Sequence, residues 1–267
     1  MTMQQTVLIT GGTSGIGLEL AKLFAADGYR LVLVARNEQG LAEASTLLTE
    51  KFDASVITIA KDLFQPESGN ELYQEITEKG LQIDVLVNDA GQGAYGLFVE
   101  SDLQRQLDII QLNISSLVTL THHWLKGMVL RRQGKILNLS SIAGKIPGPW
   151  QAVYHGTKAF VQSFTEAIRS EVKDYGVTVT ALLPGVTDTD FFNKADMNAS
   201  KQVQDKNAMA DPAEVAKDGY KALMDGKDMI ISGFKNKLQL AMNAVTPDET
   251  AADRMNEMQE PRDRDKS

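Results

Sequence analysis

A chain of 267 residues with 43% hydrophobic content can bury the core of one large α/β domain, so a single domain is expected. A net charge of −8 argues against a broad basic surface for nucleic acid or anionic lipid, and the absence of cysteine excludes disulfides, thiolate zinc sites and a cysteine nucleophile. No apolar run approaches the roughly 18 residues needed to span a bilayer. Residues 1–5 carry no charged n-region, so a cytoplasmic location with no membrane or nucleic-acid partner and no metal is expected.

Taken in chain order, short apolar runs at 6–10, 30–35, 55–60, 83–87, 135–139, 178–183 and 229–231 predict seven strands. Their two-sided hydrophobicity fits a parallel sheet buried between helical layers. The intervening segments 16–27, 38–51, 66–79, 101–126, 150–175 and 212–225 predict helices, the third and last opening with Pro66 and Pro212 in the first turn. This alternation predicts an α/β doubly wound Rossmann-type domain over residues 1–246. Residues 188–211 break it, mixing Phe191, Phe192, Met197 and Met209 with polar side chains, and are expected to form a mobile insertion over a site. Residues 247–267 are charged and poor in large apolar side chains, which predicts a frayed tail.

Directly after the first strand, Gly11-Gly12-Thr13-Ser14-Gly15-Ile16-Gly17 opens a helix. Glycines at such a turn let backbone approach a pyrophosphate, and free N–H groups at a helix start favour its charge. Asp62-Leu63 follows the third strand and Asn88-Asp89-Ala90-Gly91 the fourth, both at strand carboxyl ends where a dinucleotide would lie; as lone features both are common turn formers. At the end of the second strand, where an NAD site places an acidic residue for the ribose hydroxyls, stands Arg36-Asn37. A guanidinium there attracts a 2′-phosphate, which favours NADP(H).

Tyr154 and Lys158 lie four apart on one predicted helix and share a face. Ser141 precedes Tyr154 by thirteen residues and follows the fifth strand, whereas Asn113 sits inside a predicted helix, where asparagine has poor propensity. Ser140 adjoins Ser141, but strand alternation sends neighbours to opposite faces, and the spacing favours Ser141.

With these motifs in place, residues 6–190 resemble the short-chain dehydrogenase/reductase family. Its patterns Thr-Gly-x-x-x-Gly-x-Gly, an active-site Asn and Ser, Tyr-x-x-x-Lys and Pro-Gly-x-x-x-Thr match Thr10 to Gly17, Asn113, Ser141, Tyr154 with Lys158, and Pro184-Gly185-Val186 with Thr189. Its Asn-Asn-Ala-Gly pattern is met except that Asp89 replaces the second asparagine. The resemblance implies hydride transfer between NADP(H) and a carbonyl or alcohol, with Tyr154 exchanging the proton. It also implies that Lys158 lowers the tyrosine's pKa and holds the nicotinamide ribose, that Ser141 holds the substrate oxygen, and that Asn113 holds a water linking Lys158 to solvent. Two other readings stand beside it: a nucleotide sensor without turnover, and a sugar-nucleotide epimerase or dehydratase that recycles bound cofactor. Tyr95, Phe98, Ile146, Trp150, Phe191 and Phe192 are candidates for the lining of a hydrophobic substrate pocket. Apolar residues on more than one side of 101–126, among them Leu103, Leu107 and Ile110, predict a homodimer or homotetramer.

Overall fold

The computed structural model describes residues 4–197, 200–201, 209–243 and 246–261. Strand β1 (Thr6–Thr10) is buried at all five positions, and its side chains alternate between two cores: Val7 and Ile9 enter one, Leu8 the other. The same alternation runs through β2 (Arg30–Ala35), with Leu31 and Leu33 on the first side and Val32 and Val34 on the second. Such strands need a layer on each face. With β3 (Val56–Ala60), β4 (Val85–Asn88), β5 (Gly134–Leu139), β6 (Val177–Leu183) and β7 (Met229–Ile231) they form one seven-stranded sheet, parallel throughout, in the order β3-β2-β1-β4-β5-β6-β7.

Helices α1 (Gly15–Ala26) and α2 (Glu38–Phe52) cover the first face with α8 (Pro212–Met224), through Leu20, Phe24, Leu41, Leu48, Val215 and Leu223. Phe24 is wholly buried and meets Tyr29 and Tyr220 edge-on, so its truncation to alanine costs about 3–5 kcal/mol. The second face is covered by α3 (Ser68–Glu78), α5 (Leu117–Arg131) and α6 (Ala152–Val172) through Leu72, Ile76, Leu120, Trp124, Met128 and Ile168. Strand order reverses between β1 and β4, which opens a crevice at the carboxyl ends of the sheet. Among the described residues no helix is long and apolar enough to cross a membrane.

Several expected elements differ. Helix α3 starts at Ser68, so Pro66 precedes it rather than occupying its first turn. The helix expected over 101–126 is α4 (Leu103–Ile110), a π-helical turn over Gln111–Ser116, and then α5, which runs on to Arg131. In the insertion, Phe191–Lys194 forms the short helix α7, Met197 is buried, and Thr187 bridges to Ala210; residues 198–199 and 202–208 lie outside the described residues.

The expected frayed tail is overturned. After α9 (Phe234–Asn243), residues Asp248–Gln259 form helix α10, which buries Ala251, Met255 and Gln259. Its apolar residues are few but fall on one face, and Trp150 Nε1 donates to Asn256 Oδ1 (2.8 Å) while Tyr95 Oη donates to the Gln259 carbonyl (2.5 Å). Residues 262–267 lie outside the described residues.

Candidate active site

The crevice is a cavity of about 800 Å3 that runs from the turn after β1 to the start of α6. At one end, Gly11 (φ +76°) and Gly15 (φ +53°) adopt the left-handed conformation that glycine takes without strain. A Cβ on Gly15 would stand 3.0 Å from the methyl of Thr189, so Thr189 closes over the turn. Ser14 occupies the N-cap of α1, and its side chain makes no capping bond. Gly11, Thr13, Ser14, Gly15 and Ile16 line the cavity, whereas Gly17 lies behind it, against Gly11 and Asp89.

Arg36 lines the same end. Its guanidinium lies over the Phe64 ring (4.8 Å to the centroid), with Nε 3.8 Å from Asp62 Oδ1. Both partners of that pair are about half exposed, so it is weak and leaves the guanidinium available. Asn37 lines the cavity but caps α2, its Oδ1 accepting from Gln39 N (3.0 Å) and Gly40 N (3.3 Å). Asp62 and Leu63 contribute further lining.

Past β4, Ala90 and Gly91 line the cavity, and Asn88 does not. Buried Asn88 instead ties strands to a helix, donating from Nδ2 to Asn138 Oδ1 (2.8 Å) and Thr121 Oγ1 (3.1 Å). Asn113 also sits behind the wall. The wider π turn lets its amide meet the main chain of Gln92 twice, accepting from N (3.0 Å) and donating to O (2.9 Å), while Nδ2 also donates to Thr157 Oγ1 (3.0 Å).

At the other end stand Ser141, Tyr154 and Lys158. Ser141 hydrogen-bonds the Tyr154 hydroxyl, and its Oγ accepts from Ala143 N (3.1 Å). Ser140 turns away and donates to the Lys158 carbonyl (2.8 Å), so only Ser141 serves the tyrosine. Lys158 Nζ donates to Leu139 O (2.8 Å) and lies 5.8 Å from the centroid of the Tyr154 ring. Burial pushes the tyrosine up to about 12 against the opposing Ser141 bond, and burial brings the lysine down to about 8 against the pull of Asp89. The sequence led us to expect a tyrosine acidified by Lys158; here burial acts the other way and raises the phenol above its ordinary value. Pro184, Gly185 and Val186 complete the wall beside Thr189.

Beyond Tyr154 the lining is Ile142, Ile146, Phe191, Phe192, Met197 and Met255, with Gln151, His155 and Gln259. Of the expected aromatics, Phe191 and Phe192 line the cavity with Ile146; Tyr95 and Trp150 stack on each other behind it, and Phe98 is exposed. Met255 and Gln259 went unanticipated because α10 itself did. Spaced four apart on a helix, they carry a signal in the sequence that charged neighbours obscure.

Comparison with known proteins agrees with this geometry. The family model described as short chain dehydrogenase matches residues 5–200, and the chain belongs to the short-chain dehydrogenase/reductase family of oxidoreductases. It is 33% identical over 251 residues to the bovine (Bos taurus) dehydrogenase/reductase SDR family member 7B, covering 90% of this chain and 77% of that one. It is 38% identical over 184 residues to the very-long-chain 3-oxoacyl-CoA reductase of Rattus norvegicus, covering 66% of this chain and 57% of the relative, so it spans little more than half of that protein. Among solved structures, a short-chain dehydrogenase from Sphingobium yanoikuyae in complex with NADPH superposes with a TM-score of 0.80 at 27% identity, covering 90% of this chain and 94% of that one.

Proposed function

We propose that this oxidoreductase is NADP(H)-dependent and interconverts a hydrophobic ketone or aldehyde with its alcohol. The observation that carries the reading is a single cavity holding the glycine turn and Arg36 together with Ser141, Tyr154 and Lys158. The donor set fits a phosphorylated dinucleotide: Thr13, Ser14, Gly15 and Ile16 at the start of α1 for the diphosphate, and Arg36 for the 2′-phosphate. Ala90, Gly91, Pro184, Gly185, Val186 and Thr189 flank it, and Lys158 holds the ribose hydroxyls. NADP(H) supplies or accepts the hydride when bound.

Ser141 and Tyr154 take the substrate oxygen. A neutral phenol is a proton donor, so in the reductive direction Tyr154 gives its proton to that oxygen, and the charge left on it is met by Lys158 and the Ser141 bond. Ile142, Ile146, Phe191, Phe192, Met197 and Met255 favour an apolar body on the substrate, and the rat relative's name, a 3-oxoacyl-CoA reductase, supports ketone chemistry. The test is NADPH absorbance with a panel of carbonyls. Consumption in proportion to added ketone supports the reading; bound cofactor without net consumption indicates an epimerase, and absence of turnover a sensor.

We propose further that the protein is homo-oligomeric and, as the sequence led us to expect, cytoplasmic. Helix α4 leaves Leu103 and Leu107 exposed beside Phe98 and Val99, a patch suited to a second copy. Light scattering at micromolar concentration is expected to give at least a dimer mass, and Leu107→Glu a monomer.

A further inference from the structure

Asp89 stands one residue past β4, where the family pattern has a second asparagine. Its backbone N–H donates to Thr10 Oγ1 (3.2 Å), as does that of Ala90 (3.1 Å), so the turn is fixed by main chain. The side chain lines the cavity and points into the glycine turn: a Cβ on Gly11 would stand 2.9 Å from Oδ2, one on Gly17 would be closer still, and the Gly17 N–H donates to the carboxylate. Oδ1 is buried without a partner. An asparagine could place a donor there, whereas an ionised carboxylate is acceptor-only and leaves a buried charge unsatisfied. The charged group acting on it is Lys158 from α6; α1 presents the Gly17 amide, and β1 a hydroxyl already committed to backbone.

We propose that Asp89 is an affinity-determining residue of the dinucleotide site, admitting the anionic cofactor with its carboxyl protonated and opposing it once ionised. This rests on the reading of the cavity as a nicotinamide dinucleotide site. The carboxyl's acidity runs the same way, since burial lifts it to about 7 against the pull of Lys158 and the Gly17 bond. Below that pH the group is neutral and equivalent to asparagine in charge; above it, a negative charge stands behind the phosphate-binding turn. An anionic ligand beside it raises the value further, so binding near neutrality takes up a proton.

The test is the Kd of NADPH, by fluorescence titration, for the wild type and Asp89→Asn between about pH 5.5 and 8.5. The two are expected to agree within about twofold at the acid end, and the asparagine variant to bind about tenfold more tightly at the alkaline end. In a Lys158→Met background the divergence persists and moves to higher pH, because the lysine no longer holds the carboxylate ionised. A wild-type to variant ratio constant with pH overturns the proposal. A divergence that vanishes in Lys158→Met does so too, by placing the effect in the lysine. Proton uptake on cofactor binding to the wild type, from binding heats in buffers of different ionisation enthalpy, needs no variant to fold; NADH, which keeps the diphosphate and lacks the titrating 2′-phosphate, is expected to show it as NADPH does, and its absence near pH 7 with both also overturns the proposal. If neither protein binds NADPH or NADH at any pH, the dinucleotide reading itself fails.

Discussion

Asn113 Oδ1 and Lys158 Nζ converge on one point: each lies 3.3 Å from the position a β-carbon on Gly91 would occupy. One of these groups is fixed by two bonds to Gln92, and the other is the end of a flexible chain, so a methyl group at residue 91 displaces the lysine first. We expect Gly91→Ala to lower kcat/KM about tenfold while moving Tm by no more than a few degrees, checked by steady-state kinetics and thermal melts. A variant with wild-type kinetics would show that the position of Lys158 is not critical.

Tyr154 and Lys158 predict a particular pH profile. The phenol, held up to about 12, remains a competent proton donor throughout the neutral range, whereas Lys158 loses its charge as pH rises through about 8. At saturating NADPH, ketone reduction is therefore expected to be flat below about pH 7.5 and to decline above it. Tyr154→Phe should lower turnover at least 100-fold with the Kd of NADPH changed less than about threefold, because only the hydroxyl is removed. Lys158→Met should impair both. Retention of more than about a tenth of the rate by the phenylalanine variant would remove Tyr154 from the proton transfer.

The sheet was legible in the sequence because each strand is apolar on both faces and each ends at a glycine, polar or charged turn; β1, β2 and β7 match their expected bounds. The glycine turn, Arg36, Ser141, Tyr154 and Lys158 could be placed for the same reason, since all lie at strand ends or within the first two turns of a helix. The π turn around Asn113 could not, because a one-residue widening leaves the apolar period almost unchanged. Nor could α10, whose stability comes from contacts to Trp150, Tyr95 and His155 far away in the chain rather than from its own apolar content.

Those contacts make α10 a wall of the substrate end. His155 Nδ1 donates to the Ile146 carbonyl (2.7 Å), which leaves Nε2 to accept from Gln259 Nε2 (3.3 Å), so the helix braces the loop and the turn that carry Ile146 and Tyr154. Burial lowers the His155 pKa, which keeps the ring in this neutral, accepting form. Removing residues 247–267 is expected to raise KM for an apolar ketone about tenfold or more and to leave the Kd of NADPH within about twofold, with Met255→Ala showing a smaller shift of the same kind. Equal loss of cofactor and substrate affinity would mean that α10 supports the whole fold rather than one end of the cavity.

Cofactor preference is expected to turn on Arg36. No acidic residue ends β2, so nothing there accepts from both hydroxyls of an unphosphorylated ribose. Glu38 stands two residues on, but the structure pairs Arg36 with Asp62 at 3.8 Å and lays it over Phe64. The ion pair is half exposed and long, so it competes weakly with a doubly charged phosphate, while the ring supports the guanidinium at the cavity edge. A charge-assisted bond to the 2′-phosphate is worth roughly 1.5–3 kcal/mol, or about 10- to 150-fold in affinity. Arg36→Asp removes that attraction and sets a second carboxylate beside Asp62, which repels the phosphate further and can accept from ribose hydroxyls. The kcat/KM ratio for NADPH over NADH is therefore expected to exceed about ten in the wild type and to fall by at least that factor in the variant. A wild-type preference for NADH, or a ratio that the substitution leaves unmoved, would overturn NADP(H) dependence and leave the Tyr154 chemistry intact.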